Sequence, residues 1–324
     1  MTTVASGDDL PEPLLDPEEQ LQARVAWHYF IGNLTQQQIA DRLGTSRVRV
    51  NRLLAACREN GLVQITINSK LASCVELEHR LLETYALHEA VVVPTPDDVT
   101  YLRDAIGVGA GTYLSSVVSD GCTIAIGWGR TLRAILRAMP SRNLSEVSVV
   151  CLQGGLAHCS GINTFEIVSD FADLYGADQH FFAAPIFASN EAARDVILAQ
   201  GAIRETYEKA RAADVAVITA GDMNESLIVT YGVETLADRE SLVDGGAVGD
   251  IIGHFIDADG QEVDHPLNRR TVAVSLEDLK QIRRVVLAAG GMHRFDVVRA
   301  ALRGGLASVF VTDEATATAL VDNP

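Results

Sequence analysis

The sequence predicts an α/β protein in two parts: a small N-terminal helix-turn-helix domain, then a larger Rossmann-like, mostly parallel open sheet covered by helices. Three observations predict it. Leu34 to Leu54 carries the apolar spacing and the capping residues of two short helices joined by a tight turn. From Glu89 onward, short β-branched runs alternate with helical segments, and several runs are apolar at successive positions, as parallel strands covered on both faces require. A chain of 324 residues allows about two domains, and the helical unit uses only the first 67 or so.

Taken in order, residues 1–16 are acidic and proline-containing and read as a flexible tail. Residues 17–67 form the helical domain. A first helix is expected from Glu18 to about Ile31, with Leu21, Val25 and Ile31 as core positions and Trp27 or Tyr29 partly packed. Thr35 caps the next helix, whose Ile39, Ala40 and Leu43 face inward; Gly44 supplies a left-handed turn; Ser46 caps a further helix whose Val50, Leu53 and Leu54 close the same core. Gly61 to Ile67 reads as a brief strand, a rudimentary wing. Residues 68–88 are read as a linker helix, Lys70 to Glu83, with Leu71, Val75, Leu81 and Leu82 as an apolar stripe and Glu76, Glu78 and Arg80 outward.

Charge separates the two parts. The whole chain carries 26 Lys and Arg against 43 Asp and Glu, a net charge of −17, which disfavours coating nucleic acid with the entire surface. Between Leu21 and Leu62 the balance reverses, with 6 Arg against 2 acidic residues. A positive field confined to one small helix pair fits a unit whose second helix enters a major groove of double-stranded operator DNA. Arg47 and Asn51, four residues apart, share a face, flanked by Arg49 and Arg52. Arg can fork onto guanine and Asn onto adenine, whereas Thr35, Gln36 and Arg52 are placed for phosphates.

Residues 89–324 are expected to form the ligand domain. Strands are read at Ala90–Val93, Thr123–Ile126, Val147–Val150, His180–Ala183, Val215–Thr219, Arg284–Ala288 and Ala307–Val311, with helices around Val99–Val118, Thr131–Met139, Ile162–Tyr175, Glu191–Arg211 and Phe295–Leu302. Glycines and polar residues gather just after strand ends, where open α/β sheets hold ligands. Gly127-Trp128-Gly129-Arg130-Thr131 follows one strand and opens a helix, so its amides, the Arg130 guanidinium and the Thr131 hydroxyl can converge on a phosphate. Gly154 and Gly155 follow another strand, Arg294 offers a second cation, and Asp222 and Asp257 can accept bonds from sugar hydroxyls.

Other chemistries find little support. The glycine loop is neither the dinucleotide fingerprint nor a P-loop, so no NAD or ATP cofactor is expected. Cys57, Cys74, Cys122, Cys151 and Cys159 lack paired spacing, and the adjacent His158 and Cys159 have no partners at metal-site spacing, so no metal is expected. No export signal and no apolar run long enough for a membrane is read, which points to the cytoplasm. Asp222, Asp250 and Asp257 are the carboxylates available to an isomerase or deaminase, the enzyme alternative. The expectation is a binding protein with no catalytic residue.

These motifs taken in order resemble the sugar-binding transcriptional regulators of the sorbitol-operon-regulator type. The resemblance runs over about residues 18–320 and rests on Leu34 to Leu54, Gly127 to Thr131, Gly246-Ala247-Val248-Gly249-Asp250-Ile251-Ile252-Gly253, Ala288-Ala289-Gly290-Gly291, Ala301 to Gly305 and Thr312-Asp313-Glu314-Ala315. It implies an effector domain similar to ribose-5-phosphate isomerase and glucosamine-6-phosphate deaminase, a sugar phosphate effector, and a homo-oligomeric dimer or tetramer. Arg294 stands where the family commonly has Lys. A planar fork there replaces a compact ammonium, which leaves an unphosphorylated sugar or polyol as the alternative effector.

Overall fold

In a computed structural model the chain divides into two units, residues 1–68 and 69–324. The structure describes residues 17–59, 62–63, 70–156, 163–224, 226–233 and 236–324. In the first unit lie α1 Pro17–Phe30, α2 Gln36–Leu43 and α3 Arg47–Glu59. Their boundaries follow from capping chemistry. The Thr35 side chain accepts from the Gln38 amide while the Gln38 side chain accepts from the Thr35 amide, a reciprocal capping box. Gly44 ends α2 at φ +61°, and the Ser46 hydroxyl accepts from the Arg49 amide to start α3. Val25, Ile39, Ala40, Val50, Leu53 and Leu54 close one small core. Ile31, expected in that core, is 66% exposed because α1 has already ended and the chain is turning. The expected wing over Gly61 to Ile67 lies, apart from Leu62 and Val63, outside the described residues.

Removing the cap is a local experiment. Thr35→Ala should cost about 1 kcal/mol of α2 stability. The expected result is faster amide exchange at Gln38 and its neighbours with no change at Leu114 of the second unit; unchanged exchange at Gln38 would show that the capping box contributes nothing.

The second unit runs α4 Lys70–Tyr85, β1 Glu89–Val93, α5 Leu102–Val117, β2 Thr123–Ile126, α6 Arg130–Ala138, β3 Ser148–Cys151, α7 Thr164–Tyr175, β4 Asp178–His180, α8 Glu191–Leu198, α9 Gly201–Arg211 and β5 Val215–Ile218. It continues with β6 Ala220–Asp222, α10 Leu236–Asp244, β7 Gly249–Ile251, β8 His254–Ile256, α11 Pro266–Arg269, α12 Leu276–Gln281, β9 Arg284–Ala288, α13 Phe295–Arg303, β10 Val309–Asp313 and α14 Glu314–Asp322. Seven strands make one sheet in the order β1-β10-β9-β5-β2-β3-β4, and every described pairing in it is parallel. This is the α/β sheet that the successive apolar runs predict. All four residues of β5 and all five of β10 are buried, as double coverage by helices demands.

Several expectations are corrected. The strand read as His180–Ala183 is Asp178–His180, an edge strand with exposed polar residues, and the aromatic run after it is irregular. The single helix read over Glu191–Arg211 is two, because Gln200 takes extended φ and ψ and restarts the chain at Gly201. The helix read as a linker packs within the second unit, against β1 and α14. Its inward positions are Cys74, Leu77 and Leu81, while Val75 is 50% exposed. Glu78, expected outward, accepts from the Val92 amide at 2.9 Å, meeting a donor of edge strand β1. Full burial of Leu81 and near-full burial of Leu77 stabilise this docking by about 1.5–3 kcal/mol each.

The topology also fixes where a ligand can bind. From β2 the chain proceeds outward through β3 and β4, then returns to place β5 on the other side of β2. The loops leaving β2 and β5 therefore diverge at a topological switch point, which opens a crevice at the carboxyl ends of the strands. A three-stranded antiparallel sheet, β6-β7-β8, which the sequence reading did not identify, stands beside that crevice.

Candidate functional site

The crevice holds a pocket of about 560 Å³ counting its open mouth. Gly127, Gly129, Arg130 and Thr131 line it from the β2–α6 loop, and Thr219 and Ala220 from the end of β5. The two strand ends are tied together: the Gly127 amide donates to the Val217 carbonyl at 3.0 Å, and the Thr219 hydroxyl donates to the Trp128 carbonyl at 3.1 Å. Gly129 at φ +122° turns the chain into α6, whose first-turn amides have no acceptor within the helix. Arg130, the first residue of α6, is exposed, and Arg294 lines the same pocket.

Two polar side chains outside the predicted site set complete the lining. Gln153 is fully buried, and neither its Oε1 nor its Nε2 has a hydrogen-bond partner among the described residues. Asp250 is 4% exposed; its Oδ2 accepts from the Gly253 amide at 3.3 Å, and its Oδ1 has no hydrogen bond within distance and angle limits among the described residues. Unsatisfied buried polar atoms are costly, and a ligand carrying hydroxyls supplies both a donor and an acceptor to them. Asp250 pairs across the β6–β7 ladder with Gly221, where a Cβ would lie 2.3 Å from Asp250 Oδ1. The glycine is what admits the carboxylate. In the sequence Asp250 stood out only as a carboxylate for the enzyme alternative, and Gln153 was passed over for the glycines that follow it.

Other predicted positions fall elsewhere. Asp222 is buried beside the pocket, where its Oδ1 accepts from the Asn224 amide at 2.7 Å and its Oδ2 lies 4.0 Å from Arg294 Nε. It faces the Arg294 cation. Gly154 and Gly155 do not line the pocket: a Cβ on Gly154 would meet the Ala184 carbonyl at 2.6 Å, and one on Gly155 would meet the Phe165 ring at 2.7 Å, so they serve close packing. Asp257 is also away from the pocket, its Oδ1 accepting from the Asp259 and Gln261 amides to make a turn. Cys57, Cys74, Cys122 and Cys151 are buried; Cys159 and His158 lie outside the described residues.

Burial pushes the Asp250 carboxyl up to about 7, with the nearby Asp222 adding to the rise and the Gly253 amide and Ser226 hydroxyl opposing it. An aspartate in the unfolded chain titrates near about 3.9. Between those values the folded state holds a proton that the unfolded state has released, so this group's stabilising contribution is full below about 4 and is lost as pH rises through about 7. Asp250→Asn should remove that dependence. Denaturant unfolding at pH 5 and pH 8 should show the wild type losing stability relative to Asp250→Asn as pH rises, and a constant difference would refute the burial argument.

In the helical unit, Thr35, Gln36 and Arg47 line one cleft. Asn51 and Arg52 are exposed on α3, opposite the buried Val50, Leu53 and Leu54. Gln36 Nε2 donates to Asn51 Oδ1 at 3.3 Å, so a residue expected at phosphate and one expected at a base edge are neighbours. Arg49 instead faces α1, 3.2 Å from Glu18 Oε2. Val48 is 80% exposed in the first turn of α3, an apolar group the sequence reading did not single out. The signal in the sequence was its place off the apolar period of Val50, Leu53 and Leu54.

Comparison with known proteins agrees with both units. The family described as a sugar-binding domain matches residues 69–322, and a Crp-like helix-turn-helix domain matches residues 15–78. The chain is 31% identical to the erythritol catabolism regulatory protein EryD of Brucella abortus, covering 96% of this chain and 99% of that protein. It is 33% identical to the deoxyribonucleoside regulator of Bacillus subtilis, covering 94% and 98% respectively. Among solved structures, the full-length sorbitol operon regulator SorC of Klebsiella pneumoniae matches with a TM-score of 0.73 at 26% identity, covering 94% of this chain and 100% of that one.

Proposed function

This chain belongs to the family of transcriptional regulators that join a DNA-binding helix-turn-helix to a sugar-binding domain, and from that premise we propose that it controls a carbohydrate or polyol catabolic operon in response to a phosphorylated sugar. The observation that carries the effector reading is one pocket with two kinds of lining: the Gly127–Thr131 loop with Arg130 for a phosphate, and the unsatisfied Gln153 and Asp250 for sugar hydroxyls. Arg294 is a second cation for the ester, balanced by Asp222. No cofactor or catalytic step is assigned; binding alone is the function.

Residues 17–67 read DNA and residues 89–324 read the effector. Arg47 and Asn51 meet base edges, and the exposed methyls of Val48 suit the 5-methyl group of thymine. Thr35, Gln36 and Arg52 hold phosphates. Arg49 joins them only by leaving Glu18. A homo-oligomer, dimer or tetramer, supplies paired units for two half-sites of an operator in the cytoplasm. Effector binding shifts the arrangement of the paired effector domains, and operator affinity changes by linkage.

A second reading, an unphosphorylated sugar or polyol, is favoured by Asp222 lying within 4.0 Å of Arg294, which engages one of the two cations. Thermal stabilisation by phosphorylated and free sugars and polyols distinguishes the two, because a ligand preferring the native state raises its apparent stability. A phosphate ester that stabilises the protein and changes its operator affinity supports the first reading; stabilisation by free polyols alone supports the second; turnover of a sugar phosphate without operator binding defeats both.

A further inference from the structure

Beside the effector pocket, between α5 and α6, runs a groove whose charged lining is Arg103, Arg130, Arg133, Arg137, Asp104 and Asp170. Four guanidinium groups share one surface of a chain whose net charge is −17. Arg130, Arg133 and Arg137 follow one another at spacings of three and four on α6, so their charges crowd one helix face while Leu132, Ile135 and Leu136 are buried. Arg103 joins them from α5 because the two helices pack closely: a Cβ on Gly107 would stand 2.7 Å from the Ala134 backbone.

Of these arginines, Arg133 is ion-paired, with Asp170 and, at 3.8 Å, with Glu166. No carboxylate among the described residues lies within ion-pair reach of Arg103, Arg130 or Arg137. Arg103 Nε is shut off from solvent and has no hydrogen-bond partner among the described residues. Clustered guanidinium groups repel one another unless an anion sits between them, and their planar forks match the oxygens of phosphate in pairs.

We propose that this groove binds a multiply charged phosphate, either as a free ion or as the second charged group of a bisphosphorylated ligand. Apart from Arg130, its residues are not those of the effector pocket, so a free ion here goes beyond the effector reading and does not depend on it, whereas the bisphosphorylated ligand rests on that reading. Arg130 is the common element, which makes the groove a place where a second anion influences effector binding.

The test uses the full chain. Pyrophosphate and ribose 1,5-bisphosphate are titrated calorimetrically, at constant ionic strength, into wild type, the Arg103→Gln/Arg137→Gln double variant and Arg294→Gln. A fall of tenfold or more in pyrophosphate affinity for the double variant, with Arg294→Gln within twofold of wild type, establishes the groove as a site for a free ion. A comparable fall for the bisphosphate in both variants establishes it as the seat of a second group on one ligand. The proposal is overturned if the double variant binds both probes as wild type does, or if wild type binds neither more tightly than sulfate. It is equally overturned if the loss comes with a changed oligomer mass in sedimentation, which makes the groove a contact between copies.

Discussion

Arg130→Ala is expected to lower affinity for the phosphorylated effector by about tenfold or more, while operator affinity in the absence of effector stays unchanged. The magnitude is that of one charge-assisted hydrogen bond, about 1.5–3 kcal/mol. Arg130 opens α6 at the carboxyl end of β2 and is an exposed cation at the mouth of the pocket, so its removal leaves the buried core of α6 intact. Calorimetric titration of both proteins with a phosphorylated sugar and its dephosphorylated form decides the matter. Normal binding of the ester by Arg130→Ala, or equal wild-type affinity for ester and free sugar, would falsify the phosphate assignment and direct attention to Gln153 and Asp250 as sites for a neutral polyol.

The second large effect concerns the operator. Arg47→Ala and Asn51→Ala should each cost about 1–3 kcal/mol on the cognate site while changing affinity for scrambled DNA much less. Arg52→Ala should weaken both duplexes alike and reduce the salt slope by about one. Both expectations follow from α3, which buries Val50, Leu53 and Leu54 and leaves Arg47, Asn51 and Arg52 in solvent. The Gln36–Asn51 contact adds that Asn51 exchanges one amide partner for another when it reaches a base. Fluorescence titration at several salt concentrations separates the classes, and an unaltered preference for the cognate duplex in both face variants would end the assignment.

Much of this was legible along the chain because it is local. A cap, a turn and an apolar period involve residues a few positions apart, so Thr35, Gly44 and Ser46 mark the helix-turn-helix and the apolar runs mark β5, β9 and β10. The glycine loop that lines the pocket was legible for the same reason, since the strand, the glycines, Arg130 and Thr131 are consecutive. Less visible were elements whose stability is supplied by distant partners. The sheet β6-β7-β8 has three residues in each strand, too few for alternation to register, and it exists because β6 finds β7 across an intervening helix.

By itself, then, the sequence determined the two-part architecture, the polar face of α3 opposite its buried residues and the glycine loop that opens α6 after β2. The tertiary structure alone decided which glycines make a site and which only make room. Gly154 and Gly155 pack against Ala184 and Phe165, whereas Gly221 admits the Asp250 carboxylate to the pocket. It also decided that Glu78 turns inward to the Val92 amide and that Gln153 and Asp250, far apart in the chain, line one cavity. The physical reason is common to all of these: the burial and hydrogen-bond satisfaction of a polar group depend on neighbours brought together across the sheet, and no spacing along the chain encodes that distance.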